Sequence, residues 1–364
     1  MIRVPIHFAT KAHEALIGVG LIEDAGAIIA EKIRPTRCAI VTDETIGPLF
    51  AASLQQSLTK SGFRPILISI PSGEQFKVLD QVGKICERMT AAGLDRQSFI
   101  VGLGGGVIGD ISGFSAAIFH RGVPHVQIPT TLLAMVDSSI GGKTGVNTAS
   151  GKNLIGAIHQ PLLVIDDVAA LRTLPDRDFN QGFAEIVKHG IIADSEMFEM
   201  LGSTPASTFR PDASNGENLA KLIRRNIEIK SGIAAKDEHD RAGDRAVLNF
   251  GHTVGHAIER AGNYQRFMHG EAISLGMVAA SSVSMKRAGL PREQQDAIVN
   301  VLSHFNLPTR LPPEFPRDAI LEAVKFDKKF QGGQIRYVVT PRIGAAQLAT
   351  DVTLEDIREA VESL

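Results

Sequence analysis

The chain has 364 residues, with 38 basic and 40 acidic side chains and a formal net charge of −2. This length favours two packed domains over one, and a composition of 44% hydrophobic and 21% charged residues excludes a disordered chain. The balanced charge argues against nucleic-acid binding, and the lack of a signal peptide or a membrane-length apolar run favours a cytoplasmic protein.

The first half of the chain alternates short runs rich in β-branched residues with longer amphipathic segments. The runs that favour strands lie at residues 37–43, 65–69, 98–102, 125–129 and 162–166. This alternation is typical of βαβ units. We therefore predict an α/β domain with a mainly parallel sheet over residues 1–174.

The second half has a helical period. Apolar residues recur every three or four positions in residues 180–192, 218–234 and 251–261, which predicts a mostly α-helical domain over residues 175–364. One late exception predicts a hairpin that pairs residues 335–339 with 345–348. No repeat or low-complexity linker separates the halves, so we expect them to pack directly with a ligand cleft between them.

A glycine-rich turn at residues 104–109 fits the pattern G-x-G-x-x-G between a strand and a helical run. Glycines in such a turn let backbone N–H groups approach a pyrophosphate at a helix N-terminus, which favours a nucleotide-binding sheet. The standard fingerprint also requires an acidic residue about 20 positions later, and residues 111–136 contain none. The motif alone is therefore a weak signal.

Three other polar segments bear on this cofactor hypothesis. Asp43 ends a predicted strand and could bind a ribose hydroxyl or cap a turn, and the sequence leaves both interpretations open. Residues 72–77 form a second polar glycine turn after a strand. Residues 137–144 end like a P-loop, but Asp137 stands where the opening glycine is required, so we do not expect nucleotide triphosphate hydrolysis.

Histidines cluster in the second half. His252 and His256 are four positions apart on one predicted helix, and His269 starts the next one. Histidines with this spacing can share a metal ion, which favours a metal site over three separate packing histidines. Glu185 and Lys188 share a face of an apolar helix, where they form either a surface ion pair or a buried functional pair, and spacing alone does not decide.

Basic side chains gather in the same motif-bearing segments. In a chain of slightly negative net charge, this favours an anionic substrate with carboxylate and phosphate groups. These residues are Lys77, Arg121, Lys143, Lys152, Lys188, Lys230, Arg245 and Lys328.

At these residues the chain resembles the 3-dehydroquinate synthase family of sugar phosphate cyclases. The matching segments follow the family order over nearly the whole chain, which is far more specific than any single motif. They are residues 72–77, 104–110, 120–123, 129–133, 137–147, 151–156, 184–188, 245–256, 268–271 and 327–329.

The resemblance implies an NAD-binding α/β domain, a helical domain that holds zinc or alternatively cobalt, and a homodimer. It assigns metal ligation to Glu185, His252 and His269 and moves His256 to proton transfer. The implied NAD contacts are Asp43, Ser72, Gly73, Glu74, Gln75, Phe76, Lys77, Gly106, Val107, Ile108, Gly109, Asp110, Thr130, Thr131, Lys143, Lys152 and Thr173.

The resemblance also implies the substrate site and the reaction. The catalytic residues would be Lys152, Asn153, Lys188, Arg245, Asn249 and His256, and the further substrate contacts Asp137, Lys143, Lys230 and Lys328, with Arg121 reaching a phosphate in the partner subunit's site. The implied reaction converts 3-deoxy-D-arabino-heptulosonate 7-phosphate to 3-dehydroquinate and phosphate by transient oxidation, β-elimination, reduction and aldol closure. The segment between Lys230 and Arg245, residues 231–244, is about one residue longer than the family pattern, which bears on the role of Lys230, and Lys329 competes with Lys328 for its role.

Three alternatives are open. A related cyclase would act on another sugar phosphate, and the residues that favour the dehydroquinate substrate over it are Asn153, Arg245, Asn249, His256 and Lys328. A metal-dependent alcohol or polyol dehydrogenase of similar fold would release NADH, but the Glu185 ligand and the lysine-rich segments argue against it. A non-catalytic NAD-binding protein would not need the ligand and base positions that are present.

Overall fold

The computed structural model describes residues 1–149, 151–211, 216–240, 243–325, 330–331 and 334–364. Lys328 and its competitor Lys329 lie outside the described residues. The strands are β1 Ile2–His7, β2 Ala12–Gly18, β3 Arg37–Asp43, β4 Arg64–Ile70, β5 Phe99–Gly104, β6 His125–Pro129, β7 Lys143–Thr148, β8 Gly151–Ile158, β9 Leu163–Asp167, β10 Phe330–Gln331, β11 Gln334–Ile335, β12 Tyr337–Arg342 and β13 Ala345–Ala349. The helices are α1 Leu21–Ala30, α2 Gly47–Lys60, α3 Leu79–Ala91, α4 Gly106–Ile118, α5 Asp176–Ala193, α6 Ser195–Ser203, α7 Gly216–Lys236, α8 His252–Ala261, α9 His269–Ala288, α10 Arg292–His304, α11 Arg317–Lys325 and α12 Leu354–Glu362.

The chain divides into two compact units. The first contains Met1–Leu174 and Arg210–His239, and the second contains Pro175–Phe209 and Asp240–Leu364. This division differs from the predicted ranges 1–174 and 175–364 in one segment. Helix α7 lies in that segment and packs on β1 and β2 of the first unit. The helical period of α7 predicted its secondary structure but not the core that it joins.

The first unit is built on a sheet with the order β1-β2-β9-β6-β5-β3-β4, in which only β1 pairs antiparallel among these neighbours. Alternate residues of its strands enter opposite cores, as the pleat requires. Ile40 packs with α1 and α2 on one face, whereas Val41 packs with α3 and α4 on the other. The predicted α/β domain with a mainly parallel sheet is confirmed.

The order of the strands reverses between β3 and β5. Strand β4 follows β3 on one side, and the chain then crosses β3 to place β5 on its other side. In open parallel sheets, ligands bind beyond the carboxyl ends of the strands at such a switch point. The fold therefore selects the loops that follow β3, β4 and β5 as a candidate binding edge.

The second unit is mostly helical, as predicted, and contains α5, α6 and α8 to α12. The predicted late hairpin is formed by β12 and β13, with Val338 opposite Leu348. Three other antiparallel pairs of consecutive strands in the described residues, β1–β2, β7–β8 and β10–β11, were not predicted. Among the described residues, no helix is both long enough and apolar enough to cross a membrane.

Candidate functional site

Close packing at glycines brings α5, α8 and α9 of the second unit together. A Cβ atom on Gly276 of α9 would lie 2.0 Å from the carbonyl oxygen of Gly251, which precedes α8. A Cβ atom on Gly270 would lie 2.5 Å from the carbonyl oxygen of Gln181 in α5. Only glycine allows these approaches. As a result, side chains from three helices can converge on one point.

Polar contacts fix the first turn of α9. The side chain of Glu271 accepts a hydrogen bond from the backbone N–H of Met268 at 2.8 Å. Arg177 in α5 donates to both carboxylate oxygens of Glu271, at 2.6 and 2.8 Å. This bidentate pair joins the starts of α5 and α9. His269, the first residue of α9, is therefore held in a defined position.

Glu185, His252 and His269 form the centre of this convergence. Oε1 of Glu185 lies 3.4 Å from Nε2 of His252 and 3.6 Å from Nε2 of His269. Each residue offers a ligand atom, and these atoms lie within 4.8 Å of one another. One carboxylate and two imidazoles match the donor set of a catalytic zinc site. The residues therefore fit the metal that the sequence predicts.

The charges on Glu185 and His252 favour ligation. Burial opposes ionisation of Glu185, but Lys188 and His252 outweigh it and hold the pKa of the carboxyl well below its usual range. Burial lowers the pKa of His252, with a further contribution from Lys188, against the opposing effect of Glu185. Metal ligands must be an ionised carboxylate and neutral imidazoles. Glu185 and His252 meet these conditions. Burial lowers the pKa of His269, but the carboxylates of Glu185 and Glu259 outweigh it and raise this pKa to about 10, so a metal ion must displace a proton from that ring.

The backbone also sets the tautomer of His252. Its Nδ1 lies 3.2 Å from the carbonyl oxygen of Phe250. If Nδ1–H donates to that oxygen, Nε2 carries the lone pair and faces Glu185. Lys188 is almost fully buried and its ammonium contacts the other oxygen of Glu185, so the two residues form a buried ion pair and not a surface one. A functional role for this pair stays a prediction.

A second donor group lies beside the first. It consists of His256, Glu259 and His269, of which His256 is exposed and Glu259 buried. The rings of His252 and His256 are 5.2 Å apart. Glu259 was missed by the sequence analysis. The sequence signal that could have identified Glu259 is its spacing. It follows His256 by three residues and His252 by seven, which places it on the same helix face.

In the first unit, the predicted cofactor loops meet at the switch point. Oδ1 of Asp43 accepts from the N–H groups of Thr45 and Ile46, both at 2.9 Å, and from the hydroxyl of Ser72 at 3.1 Å. Asp43 therefore caps the turn after β3 and links it to the loop after β4. The glycine-rich turn places the start of α4 directly after β5. Ribose binding by Asp43 stays a prediction.

The turn at residues 72–77 contacts two other predicted elements. Nζ of the buried Lys77 contacts the carboxylate of Asp110 in α4 and lies 2.7 Å from Oδ1 of Asn153 in β8. Nδ2 of Asn147 donates to Glu74 at 2.7 Å, and Nζ of Lys152 lies 4.0 Å from the same carboxylate. The β7–β8 hairpin thus brings the predicted lysine and asparagine to the cofactor loops.

Asp137 and Lys230 form another pair within the first unit. Nζ of Lys230, which is buried in α7, lies 2.6 Å from Oδ1 of Asp137. Residues 134–138 form a π-helical turn followed by β7, so the P-loop-like sequence does not form a strand–loop–helix phosphate site.

The remaining predicted residues lie in several elements. Arg245 and Asn249 lie in the 3₁₀ turn Asp244–Asn249 before α8, and Arg245 is buried. Arg121 is exposed and has a φ of 67°, next to His120 with a φ of 48°. Thr130 and Thr131 follow β6, Thr173 ends the 3₁₀ turn after β9, and Lys143 is exposed at the start of β7.

Two family models match consecutive parts of the chain. The model described as 3-dehydroquinate synthase N-terminal matches residues 67–181, and the model described as 3-dehydroquinate synthase C-terminal matches residues 182–330. Proteins named 3-dehydroquinate synthase from Cereibacter sphaeroides, Synechococcus sp. and Thermodesulfovibrio yellowstonii are each 40% identical to the chain. These matches cover 99%, 100% and 99% of the chain and 97%, 99% and 99% of the relatives.

Solved structures of other cyclases are also similar. The 2-epi-5-epi-valiolone synthase ValA from Streptomyces hygroscopicus, with NAD⁺ and Zn²⁺ bound, has a TM-score of 0.87 and 28% identity, and the match covers 96% of each chain. A 2-deoxy-scyllo-inosose synthase complexed with carbaglucose-6-phosphate, NAD⁺ and Co²⁺ has a TM-score of 0.87 and 24% identity over 100% of this chain and 99% of that one. The latter likeness establishes the fold alone.

Proposed function

The chain belongs to the 3-dehydroquinate synthase family, and we propose that it converts 3-deoxy-D-arabino-heptulosonate 7-phosphate to 3-dehydroquinate and phosphate with NAD and zinc. The observation that carries this proposal is the convergence of Glu185, His252 and His269, whose ligand atoms lie within 4.8 Å of one another. Three protein ligands leave coordination positions for a substrate, as catalytic zinc requires.

We assign metal binding to these three residues. When bound, zinc supplies a Lewis acid that polarises an alcohol or carbonyl oxygen of the substrate. The chain contributes an ionised carboxylate on Glu185 and a lone pair on Nε2 of His252. ValA, with Zn²⁺ bound, supports zinc, and cobalt is the alternative ion.

We assign NAD to the first unit. NAD bound there would supply a hydride acceptor that also serves as the later hydride donor, so that no cofactor would be consumed. The glycine-rich start of α4 offers backbone N–H groups to a pyrophosphate. The loops around Asp43 and Ser72 are joined by hydrogen bonds at the same switch point. This arrangement supports the NAD contacts implied by the family resemblance.

The predicted substrate residues have separate chemical tasks. Lys152, Lys188 and Arg245 provide cations for a carboxylate and a phosphate. Asn153 and Asn249 provide amides that can orient hydroxyl groups. The exposed imidazole of His256 can accept and return protons. Aldol closure of the opened substrate depends mainly on how the substrate is oriented and less on further functional groups. Because the two reacting carbons belong to one molecule, holding them in the right geometry is enough to accelerate the step.

We further propose a homodimer in which Arg121 binds phosphate in the partner subunit's site. Two consecutive non-glycine residues, His120 and Arg121, have positive φ angles of 48° and 67°. Such backbone strain is concentrated at functional sites, which supports a role for this exposed arginine. Mixing Arg121→Ala and His252→Ala subunits tests it, because a shared site predicts partial recovery of activity in mixed dimers and separate sites predict none.

The experiment that tests the reaction compares three substrates with the purified, zinc-loaded protein and NAD. We expect phosphate release and dehydroquinate formation from the seven-carbon keto-acid phosphate, and neither from glucose 6-phosphate or glycerol. A carbocycle from glucose 6-phosphate would support the related cyclase, and NADH accumulation with glycerol would support the dehydrogenase. Either result without turnover of the seven-carbon substrate would overturn the proposal.

A further inference from the structure

Glu259 is a buried carboxylate that none of the roles above uses. It lies on α8, only 2% of its surface is exposed, and its Oε1 lies 3.6 Å from Nδ1 of His269. The other nitrogen of the same ring, Nε2, lies 3.6 Å from Oε1 of Glu185. The ring of His269 is therefore placed between two buried carboxylates from two other helices.

An imidazole that binds a metal through one nitrogen carries its proton on the other. A carboxylate that accepts this proton in a hydrogen bond fixes the tautomer, orients the ring and makes the ligand nitrogen more basic. His252 receives such an acceptor from the backbone carbonyl of Phe250, at 3.2 Å. Glu259 is the corresponding acceptor on the far side of His269.

We propose that Glu259 is a positioning residue that accepts the Nδ1–H of His269 and so directs Nε2 to the metal. This inference rests on the proposed function, because it takes Glu185, His252 and His269 as the ligands. Through His269, Glu259 sets the affinity and the geometry of the metal site without contacting the ion.

A competing arrangement uses Glu259 as a ligand itself, together with His256 and His269. Two observations disfavour it. Glu185 is fully buried beside two imidazole nitrogens, whereas His256 is exposed. The Nε2 atom of His269 also faces Glu185, and its Nδ1 atom faces Glu259. A single orientation of the ring therefore lets Nε2 bind the metal while Nδ1–H donates to Glu259.

The test measures metal binding directly in the full-length chain, after metal removal and reloading. Zn²⁺ affinity is obtained by competition with a chelator, and the Co²⁺-loaded protein gives an absorption spectrum that reports the geometry of the ligands. The variants are Glu259→Ala and Glu259→Gln. The control is Asp356→Asn, which changes another buried carboxylate of the second unit that pairs with Lys286 and Arg287.

We expect Glu259→Ala to weaken Zn²⁺ binding about 10- to 100-fold, the range for loss of an outer contact to a ligand, and to change the Co²⁺ spectrum. Glu259→Gln keeps an acceptor but removes the charge, so it should show the same change to a smaller degree, and it carries the test if the alanine variant does not fold. Asp356→Asn should bind both ions like the unmodified chain.

Unchanged affinity and spectrum in both Glu259 variants would overturn the inference while leaving the proposed function intact. Loss of the ion in Glu259→Ala and His256→Ala, but not in His252→Ala, would place the metal in the competing group and overturn both. Failure of the unmodified chain to bind zinc would likewise contradict the proposed function and, with it, the role of Glu259.

Discussion

Nε2 of His252 lies 3.4 Å from Oε1 of Glu185, and Nδ1 of the same ring lies 3.2 Å from the carbonyl oxygen of Phe250. His256, one turn later on α8, is exposed instead. Sequence spacing alone pairs His252 with His256, whereas in the folded structure His252 lies beside Glu185, a carboxylate of α5. This difference supports the proposed assignment of metal ligation to His252 and of proton transfer to His256.

The first prediction concerns these two histidines. His252→Ala should weaken Zn²⁺ binding by more than about 100-fold, beyond the range for loss of an outer contact, and should abolish activity with it. His256→Ala should keep its zinc and lose most of its activity, because it removes a proton-transfer group. Metal analysis and phosphate release on the same samples check this. Equal loss of metal in both variants would contradict the assignment.

The second prediction concerns the close approach of α8 and α9. Gly276→Ala places a Cβ atom 2.0 Å from the carbonyl oxygen of Gly251, so the helices must separate. We expect loss of roughly 1–3 kcal/mol of unfolding free energy from overpacking, with weaker metal binding. Gly232→Ala in α7 is the control, because its Cβ atom would have no neighbour within 4 Å. Denaturant unfolding and chelator competition measure both effects, and equal behaviour of the two variants would be inconsistent with this packing.

The third prediction concerns acid stability. Burial, with a smaller contribution from Lys11 and against the effect of Glu238, lowers the pKa of His13 from 6.5 to about 4. Between pH 6.5 and about pH 4, His13 binds a proton in the unfolded chain but not in the folded chain. Its contribution to the unfolding free energy is therefore fully present above pH 6.5 and is lost as the pH decreases toward 4. The contribution of this residue amounts to about 3 kcal/mol.

From pH 7 to pH 4 the unfolding free energy should therefore decrease less in His13→Gln than in the unmodified chain. The two decreases should differ by about 3 kcal/mol. The control is His304→Gln, since His304 lies on α10 of the second unit and is exposed. Urea unfolding at a series of pH values provides the measurement. Parallel pH profiles for His13→Gln and the unmodified chain would refute the prediction.

The fourth prediction concerns Asp137 and Lys230, whose charged groups lie 2.6 Å apart with side chains that are 25% and 8% exposed. Removing one partner leaves the other charge poorly solvated. We expect Lys230→Met and Asp137→Asn each to cost about 2 kcal/mol, and the double variant to cost clearly less than their sum, since coupled neighbours give interaction energies of about 0.5–3 kcal/mol. Additive losses of unfolding free energy would indicate that the pair is not coupled.

Much of the fold followed from local patterns. Strand β3 was predicted with its observed bounds of residues 37–43, and α9 begins at His269 as expected. The β7–β8 hairpin was missed because β8 exposes most of its central residues, so it lacks the alternation that marks a half-buried strand. The grouping of α7 with the first unit depends on tertiary contacts that periodicity does not encode.

The site was less accessible to the sequence. The spacing of His252 and His256 predicted a metal site, and only the family resemblance replaced His256 with Glu185. The glycines that permit the convergence, Gly270 and Gly276, look unremarkable in sequence because their reason is a neighbouring backbone. Glu259 was overlooked for a similar reason, because the sequence does not show whether a glutamate is buried or exposed.

The most direct test of the central claim is the ratio of phosphate released to NAD supplied. The zinc-loaded protein is given 3-deoxy-D-arabino-heptulosonate 7-phosphate and far less NAD than substrate, and phosphate and NADH are followed together. We predict many phosphates per NAD, formation of 3-dehydroquinate and no accumulation of NADH. Phosphate release that stops at one equivalent of NAD while NADH accumulates, or no phosphate release at all, would contradict the account.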